Sequence, residues 1–83
     1  MKVKYFAWVR ERTGVSEEEI QLPEDVVSAG DLMQHLAARD EGYAAAFETP
    51  EIIRVAVDLE HRPASTDIRE AKEVAFFPPM TGG

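Results

Sequence analysis

The chain has 83 residues, and its nine Lys and Arg against sixteen Asp and Glu give a net charge of −7 at pH 7. Because domains run from about 50 to about 250 residues, this length predicts one domain, residues 1–83, without room for separate nucleotide and substrate domains. The acidic balance excludes a nucleic-acid binder that depends on clustered Lys and Arg. The sequence holds no cysteine, which excludes disulfides, thiolate metal sites and cysteine nucleophiles.

The composition is that of a folded protein. Hydrophobic residues make up 45% of the chain and charged residues 30%, whereas a disordered acidic tail has few apolar residues. The apolar stretches fall far short of the roughly 20 residues that cross a membrane, and the N-terminal residues do not form a signal segment. We therefore expect a cytoplasmic protein that contacts neither membrane nor nucleic acid, and any nucleotide or sulfur chemistry has to come from a partner.

The first predicted element is a central strand at residues 2–9, which are rich in β-branched and aromatic side chains and carry apolar groups on both faces. Residues 10–14 are polar and end in glycine, which predicts a turn. Residues 18–22 alternate again, with Ile20 and Leu22 inward, before a proline stops the strand. The N-terminal part of the chain is thus predicted to be a β-hairpin.

A helix is predicted next, because Ser28 and Asp31 have the spacing of a capping box. The apolar residues that follow recur every three or four positions and predict a stripe that packs on the sheet: Ala29, Leu32, Met33, Leu36 and Ala37. Gly42 is the predicted stop of this helix. Residues 43–47 predict a second short helical turn, which Pro50 ends.

The C-terminal half is predicted to add two strands. Residues 52–57 form a strongly β-branched run, and residues 58–71 are polar and irregular with Ile68 as the one anchoring apolar residue. Residues 73–77 predict the last strand. The order of elements predicts an α+β fold of the β-grasp type, as in ubiquitin: a mixed sheet with one main helix packed across it and residues 78–83 as a protruding, flexible C-terminal tail.

The tail is the most informative stretch for function. Pro78 and Pro79 lack backbone donors and fix φ, so the sheet has to stop and the chain has to leave it stiffly. Gly82 and Gly83 have no side chain and could pass through a narrow channel, bringing a terminal carboxylate to a reacting atom. Without further context, a frayed terminus whose glycines have no role explains the same residues equally well.

The context comes from a resemblance. The run EVAFFPPMTGG at residues 73–83 resembles the tail of the small subunits of molybdopterin synthases, the MoaD-type sulfur carrier family. A weaker match is KYFA at residues 4–7, followed by Val-Arg-Glu and Gly14. The chain departs from the family where Ala71 and Lys72 replace the common Gly-Asp before the last strand.

The resemblance implies a carrier cycle. An E1-like adenylating enzyme (MoeB-type) would activate the Gly83 carboxylate with ATP and magnesium, and a sulfur donor would convert it to a thiocarboxylate. The large subunit of molybdopterin synthase (MoaE-type) would then receive the tail, and Gly83 would give its sulfur to cyclic pyranopterin monophosphate. The chain itself would bind no cofactor or metal and catalyse nothing alone. The family also implies a heterotetramer, with small subunits on a dimer of large subunits.

The resemblance also assigns roles along the tail. Gly83 carries the chemistry and Gly82 provides access. Partner binding is expected from the residues between the last strand and the glycines: Phe77, Pro78, Pro79, Met80 and Thr81. Phe76 is expected in the core, whereas Phe77 could pack in the core or dock a partner, because a small domain buries few large side chains.

Three other functions stay open at this point. A thiamine-type sulfur carrier shares the fold and the terminal Gly-Gly, although the Phe-Phe-Pro-Pro run disfavours it. A ubiquitin-like protein modifier would use the same tail to form isopeptide bonds, and an interaction module would have an inert tail. Among the remaining polar residues, His35 and His61 are expected to be surface histidines, and residues 17–19, three consecutive glutamates, a solvated face.

Overall fold

The computed structural model describes residues 1–79. They form one five-stranded sheet, with the last strand in its centre, and three α-helices. The strands in this part of the chain are β1 (Lys2–Tyr5), β2 (Glu17–Glu19), β3 (Arg54–Val57), β4 (Glu60–Arg62) and β5 (Glu73–Phe77). The helices are α1 (Ala7–Thr13), α2 (Ala29–Ala37) and α3 (Glu41–Ala46), with a 3₁₀ turn at Pro50–Ile52. None of these helices, all within residues 1–79, is long and apolar enough to cross a bilayer.

The sheet has the order β2-β1-β5-β3-β4. β5 pairs in parallel with β1 and antiparallel with β3. The outer pairs, β1 with β2 and β3 with β4, are both antiparallel. The predicted mixed sheet and the predicted strand at residues 73–77 are therefore confirmed, and β5 joins two outer strand pairs into one sheet.

The first strand is shorter than predicted. β1 ends at Tyr5, and the chain turns at Ala7, whose φ of 52° starts helix α1. A continued strand would point Trp8 and Val9 to opposite faces, whereas the helix brings both toward the core, with Val9 fully buried. Gly14, predicted as part of a turn, is the left-handed C-cap of this helix. β1 and β2 do pair as predicted, but a helix connects them.

The capping box of the second helix is confirmed. The Ser28 hydroxyl accepts a hydrogen bond from the Asp31 amide at 3.0 Å, and the Asp31 carboxylate accepts one from the Ser28 amide at 3.1 Å. The predicted apolar stripe faces the core, with Ala29, Leu32, Met33 and Leu36 buried and Ala37 partly buried against them. The cap thus starts the helix at the residue that the sequence indicates.

The predicted stop at Gly42 is wrong. Helix α2 ends at Ala37, and Gly42 lies inside α3. A Cβ on Gly42 would stand 2.5 Å from the carbonyl oxygen of Arg12. The glycine therefore permits the close approach of α3 to α1 and does not terminate a helix. Pro50 begins the 3₁₀ turn, so the third strand starts at Arg54 and not at residue 52.

The stretch predicted as irregular, residues 58–71, contains β4. A tight turn at Asp58 and Leu59, both with positive φ, returns the chain antiparallel to β3. The Asp58 carboxylate accepts hydrogen bonds from the amides of Lys72 and Glu73 at 2.9 and 3.0 Å, which holds the turn against the start of β5. The rest of this stretch is anchored by Ile68, which is fully buried as predicted.

The core lies between the helices and one face of the sheet. Alternate strand residues such as Val3, Val55 and Val74 point into it. At its centre the rings of Tyr5, Phe47 and Phe76 contact one another, with Phe47 and Phe76 edge to face at 5.1 Å between centroids. The opposite side of the sheet, named the open face here, is formed by the other alternate residues: Lys2, Lys4, Arg54, Ala56, His61, Glu73, Ala75 and Phe77.

Candidate functional site

The tail begins directly after β5, the central strand of the sheet. Val74 and Phe76 are fully buried and fix β5 between β1 and β3. The Phe6 amide donates a hydrogen bond to the Phe76 carbonyl at 3.1 Å, so β5 is held up to its last residues. Phe76 thus belongs to the core, as expected.

The tail base, defined as Phe77, Pro78 and Pro79, follows directly. All three residues are half-buried, and the strand ends at Phe77. Since proline supplies no amide donor, Pro78 and Pro79 add no hydrogen bond of that kind to the ladder. The tail base is therefore a fixed exit point at one end of a central strand.

Two exposed side chains lie beside Phe77 on the open face, both from the side of β3 and β4. Arg54 is its register partner on β3, which places the two side chains next to each other on the same face. The His61 ring lies against the Phe77 ring, edge to face, with 5.2 Å between centroids. Phe6 is 45% exposed, and its extended backbone turns its ring away from the core side that Tyr5 occupies. An aromatic and basic surface therefore surrounds the start of the tail.

The floor beside this surface is shallow. Ala56 and Ala75 are register partners in the middle of the open face, with Lys4 and His61 in the neighbouring strands on either side. Ala75 is only 7% exposed although no helix covers it. The longer side chains around these alanines on the open face therefore cover Ala75.

Charge is distributed unevenly over the open face. In the half near β2, Lys2 pairs with Glu17 and Lys4 with Glu73, each at 3.4 Å. In the half near β4, Arg54 is exposed and has no ion pair within residues 1–79. The acidic chain thus presents an uncompensated cation beside the tail base.

Only some of the predicted site residues belong to the part of the chain that the structure describes. Phe77, Pro78 and Pro79 lie together at the sheet's end. The remaining predicted residues, Met80, Thr81, Gly82 and Gly83, lie outside the described residues, and their roles stay predictions. Within residues 1–79, no group of three His, Cys, Asp or Glu side chains could hold a metal ion.

Sequence reasoning missed two members of this surface. The sequence predicts a polar loop around His61, because β4 is short and its turn lacks the usual Asn-Gly signal. For Arg54 it predicts only a position in a β-branched run. Alternation along β3 could have placed it opposite the inward Val55, and pairing with β5 then puts it next to Phe77.

The fold and the exit point define a class of protein, the ubiquitin-like β-grasp proteins. Among solved structures, SAMP1 from Haloferax volcanii is 25% identical with a TM-score of 0.71, covering 100% of this chain and 98% of the other. A molybdopterin converting factor, subunit 1, from Pyrococcus furiosus is 30% identical with a TM-score of 0.72, covering 94% of each chain. The predicted β-grasp fold is confirmed.

The chain belongs to the ThiS family, which matches it over residues 3–83. Two curated relatives are named molybdopterin synthase sulfur carrier subunit. The relative from Haemophilus influenzae is 36% identical over 83 residues, covering 100% of this chain and 99% of its own. The relative from Escherichia coli is 36% identical over 87 residues with the same coverage. The resemblance seen in the sequence is thereby confirmed over the whole chain.

Proposed function

We propose that this chain is the sulfur carrier subunit of a molybdopterin synthase and that its functional group is the carboxyl group of Gly83. The observation that carries the proposal is the full-length match, at 36% identity, to relatives with that name. The tail base supports it, because a carrier needs its terminal group presented at a fixed place beside a surface that partners can recognise.

The chemistry assigned to Gly83 has three steps. An oxygen of the Gly83 carboxylate attacks the α-phosphorus of ATP, which forms an acyl-adenylate and releases pyrophosphate. Sulfur at the sulfide level, as hydrosulfide from a sulfur donor, then attacks the acyl carbon and displaces AMP, which leaves a thiocarboxylate and releases a proton. Finally the sulfur passes to cyclic pyranopterin monophosphate, while an oxygen from water restores the carboxylate. This chain supplies only the acyl group, since ATP and magnesium belong to the activating partner.

The proposal gives the described residues a docking role. Phe77 and the two prolines at the tail base would contact the large synthase subunit and, in turn, the E1-like adenylating enzyme. Both partners have to accept the same tail, so both would approach the same end of the sheet. We assign this cycle to the cytoplasm, where ATP is available for the activation step.

Intact mass spectrometry tests the proposal. The purified protein is incubated with ATP, magnesium, a sulfur source and the E1-like enzyme from the same organism. We expect a mass rise equal to the exchange of one oxygen for sulfur, located in the fragment that ends at Gly83. A variant with one alanine added after Gly83 is the matched control, because its carboxylate is displaced while the fold has no reason to change.

The proposal would be contradicted if the wild-type protein gained no sulfur although the same enzyme preparation activated another carrier. Sulfur transfer to the extended variant would contradict the assigned role of the Gly83 carboxylate. Adding the large subunit and the pterin precursor then tests the last step, for which we expect loss of the sulfur and formation of molybdopterin.

A protein modifier is the second candidate, because SAMP1, described in another solved structure as small archaeal modifier protein 1, shares the fold. A modifier would transfer the Gly83 acyl group to lysines and form isopeptide bonds. A blot of cell extract separates the two functions. A ladder of conjugates that disappears when Gly83 is deleted would favour the modifier, and a single band at the mass of the free protein favours the carrier.

A further inference from the structure

The side chain of Arg54 is placed at the point where a partner has to approach the tail. Its register partner on β5 is Phe77, the last residue of the strand. The His61 ring, on β4 beyond Arg54's strand, also contacts Phe77 from the β3 side, with 5.2 Å between ring centroids. Any protein that receives the tail and contacts the Phe77 ring therefore also meets the guanidinium group of Arg54.

The charge of Arg54 is uncompensated, unlike that of its neighbours. Lys2 and Lys4 on the same face each have a glutamate at 3.4 Å, and Arg62 on β4 pairs with Glu60. Within the described residues 1–79, Arg54 has no such pair. On a chain with a net charge of −7, the guanidinium of Arg54 is thus an exposed positive charge next to the exit point, where a negative group of a partner is favoured.

The chemistry of this position favours a carboxylate. A guanidinium group presents a planar set of donors that matches the two oxygens of a carboxylate, and it holds its charge at any physiological pH. The adjacent Phe77 ring would remove water from one side of such a pair and strengthen it.

We propose that Arg54 binds an Asp or Glu side chain of the large synthase subunit, alongside the contact of that subunit with Phe77. This inference rests on the proposed function, since it takes the large subunit as the occupant. The pair fixes the orientation of the carrier on its partner: the overall negative charge attracts basic surface, and the positive charge of Arg54 selects the rotation in which the tail base meets its channel.

Binding to the large subunit from the same organism tests this inference. Dissociation constants are measured by titration calorimetry at low and at physiological salt for the full-length wild-type chain, Arg54→Glu and Arg54→Gln. Lys72→Glu is the matched control, because it makes the same change in net charge at an exposed residue before β5, at the other end of that strand. Thermal unfolding of each variant checks that the fold is unchanged.

We expect Arg54→Glu to weaken binding by at least about tenfold and Arg54→Gln by less, with both losses reduced at higher salt, as for a close charge pair at an interface. Lys72→Glu is expected to stay within about twofold of wild type, the small effect of a surface charge. If Arg54→Glu and Lys72→Glu changed the dissociation constant equally, the inference would be overturned, while the proposed function would be unaffected. If the wild-type chain did not bind the large subunit, both would fail.

Discussion

The hydroxyl group of Tyr43 donates a hydrogen bond to the Glu18 carboxylate at 2.6 Å, which ties helix α3 to the edge strand β2. The same carboxylate accepts a hydrogen bond from the Tyr5 hydroxyl at 2.8 Å and one from Arg39 at 2.7 Å. Glu18 thus joins β1, β2 and the helical layer through one side chain. The carboxylate gives a hydrogen-bond acceptor to the hydroxyl groups of Tyr5 and Tyr43, two residues that are buried and have little access to water.

Replacement of Glu18 by leucine is expected to destabilise the protein by about 1–3 kcal/mol, because the Tyr5 hydroxyl would stay buried without an acceptor. Urea unfolding monitored by circular dichroism measures the change. Glu17→Leu on the same strand is the control, since the Glu17 side chain is half exposed and its one ion pair within residues 1–79 is with Lys2. Equal losses for the two variants would show that the Glu18 contacts add nothing.

The same cluster predicts loss of stability in acid. Burial opposes the charge on Glu18, but hydrogen bonds from Tyr43, Arg39 and Tyr5 outweigh it and lower the pKa of the carboxyl group below its usual value. A group whose pKa is lower in the folded state stabilises the fold above its unfolded pKa, and this contribution disappears as the pH falls through the folded value. We expect Glu18→Gln to reduce the difference in unfolding free energy between pH 7 and pH values below about 4. An unchanged pH dependence would exclude Glu18 as a source of acid sensitivity.

Replacement of Gly42 by alanine is expected to cost about 1–3 kcal/mol, the usual penalty of overpacking, because the new Cβ would stand 2.5 Å from the backbone oxygen of Arg12. Gly30→Ala is the control. Its Cβ would meet the Ala64 oxygen at 3.4 Å, an ordinary contact, and alanine favours a helix. Thermal unfolding should show a lower midpoint for Gly42→Ala alone. A shared loss would mean that helix position, and not the approach to α1, sets the effect.

Adjacent phenylalanines on β5 are expected to separate stability from binding. Phe76→Ala removes a fully buried ring and should destabilise the fold by about 3–5 kcal/mol. Phe77→Ala should lower the affinity for the large subunit by about 1–4 kcal/mol, as for an interface aromatic, and change the unfolding free energy much less. Calorimetric titration and urea unfolding of both variants make the comparison. An unchanged affinity with a lower unfolding midpoint for Phe77→Ala would assign Phe77 to the core.

Local signals predicted the parts of the fold that depend on local contacts. The capping box of Ser28 and Asp31 fixed the start of α2, and two prolines fixed the end of β5, because each acts within a few residues. Helix α1 was missed since β-branched and aromatic residues favour a strand, and only tertiary packing of Trp8 and Val9 overrides that preference.

For the site, too, the sequence predicts the residues of a continuous motif but not those that only the fold brings together. The tail residues form a continuous motif, so the resemblance could assign them. Arg54 and His61 join Phe77 only through strand pairing, which brings together residues that are far apart in sequence. The run of three glutamates predicts a solvated face for Glu18, but alternation along β2 turns it inward between two exposed glutamates.

The position of β5 has a consequence during synthesis of the protein. In the folded sheet, β1 with β2 and β3 with β4 are joined only through β5, so without residues 73–77 each pair would have an open edge. Isolated strand pairs are marginally stable, and open edges can pair with other chains. We therefore expect the sheet to form during synthesis only after β5 has left the ribosome. That strand pairs with β1 and β3 together and ends at the tail base. A carrier that displays its docking surface has, for that reason, already completed its sheet.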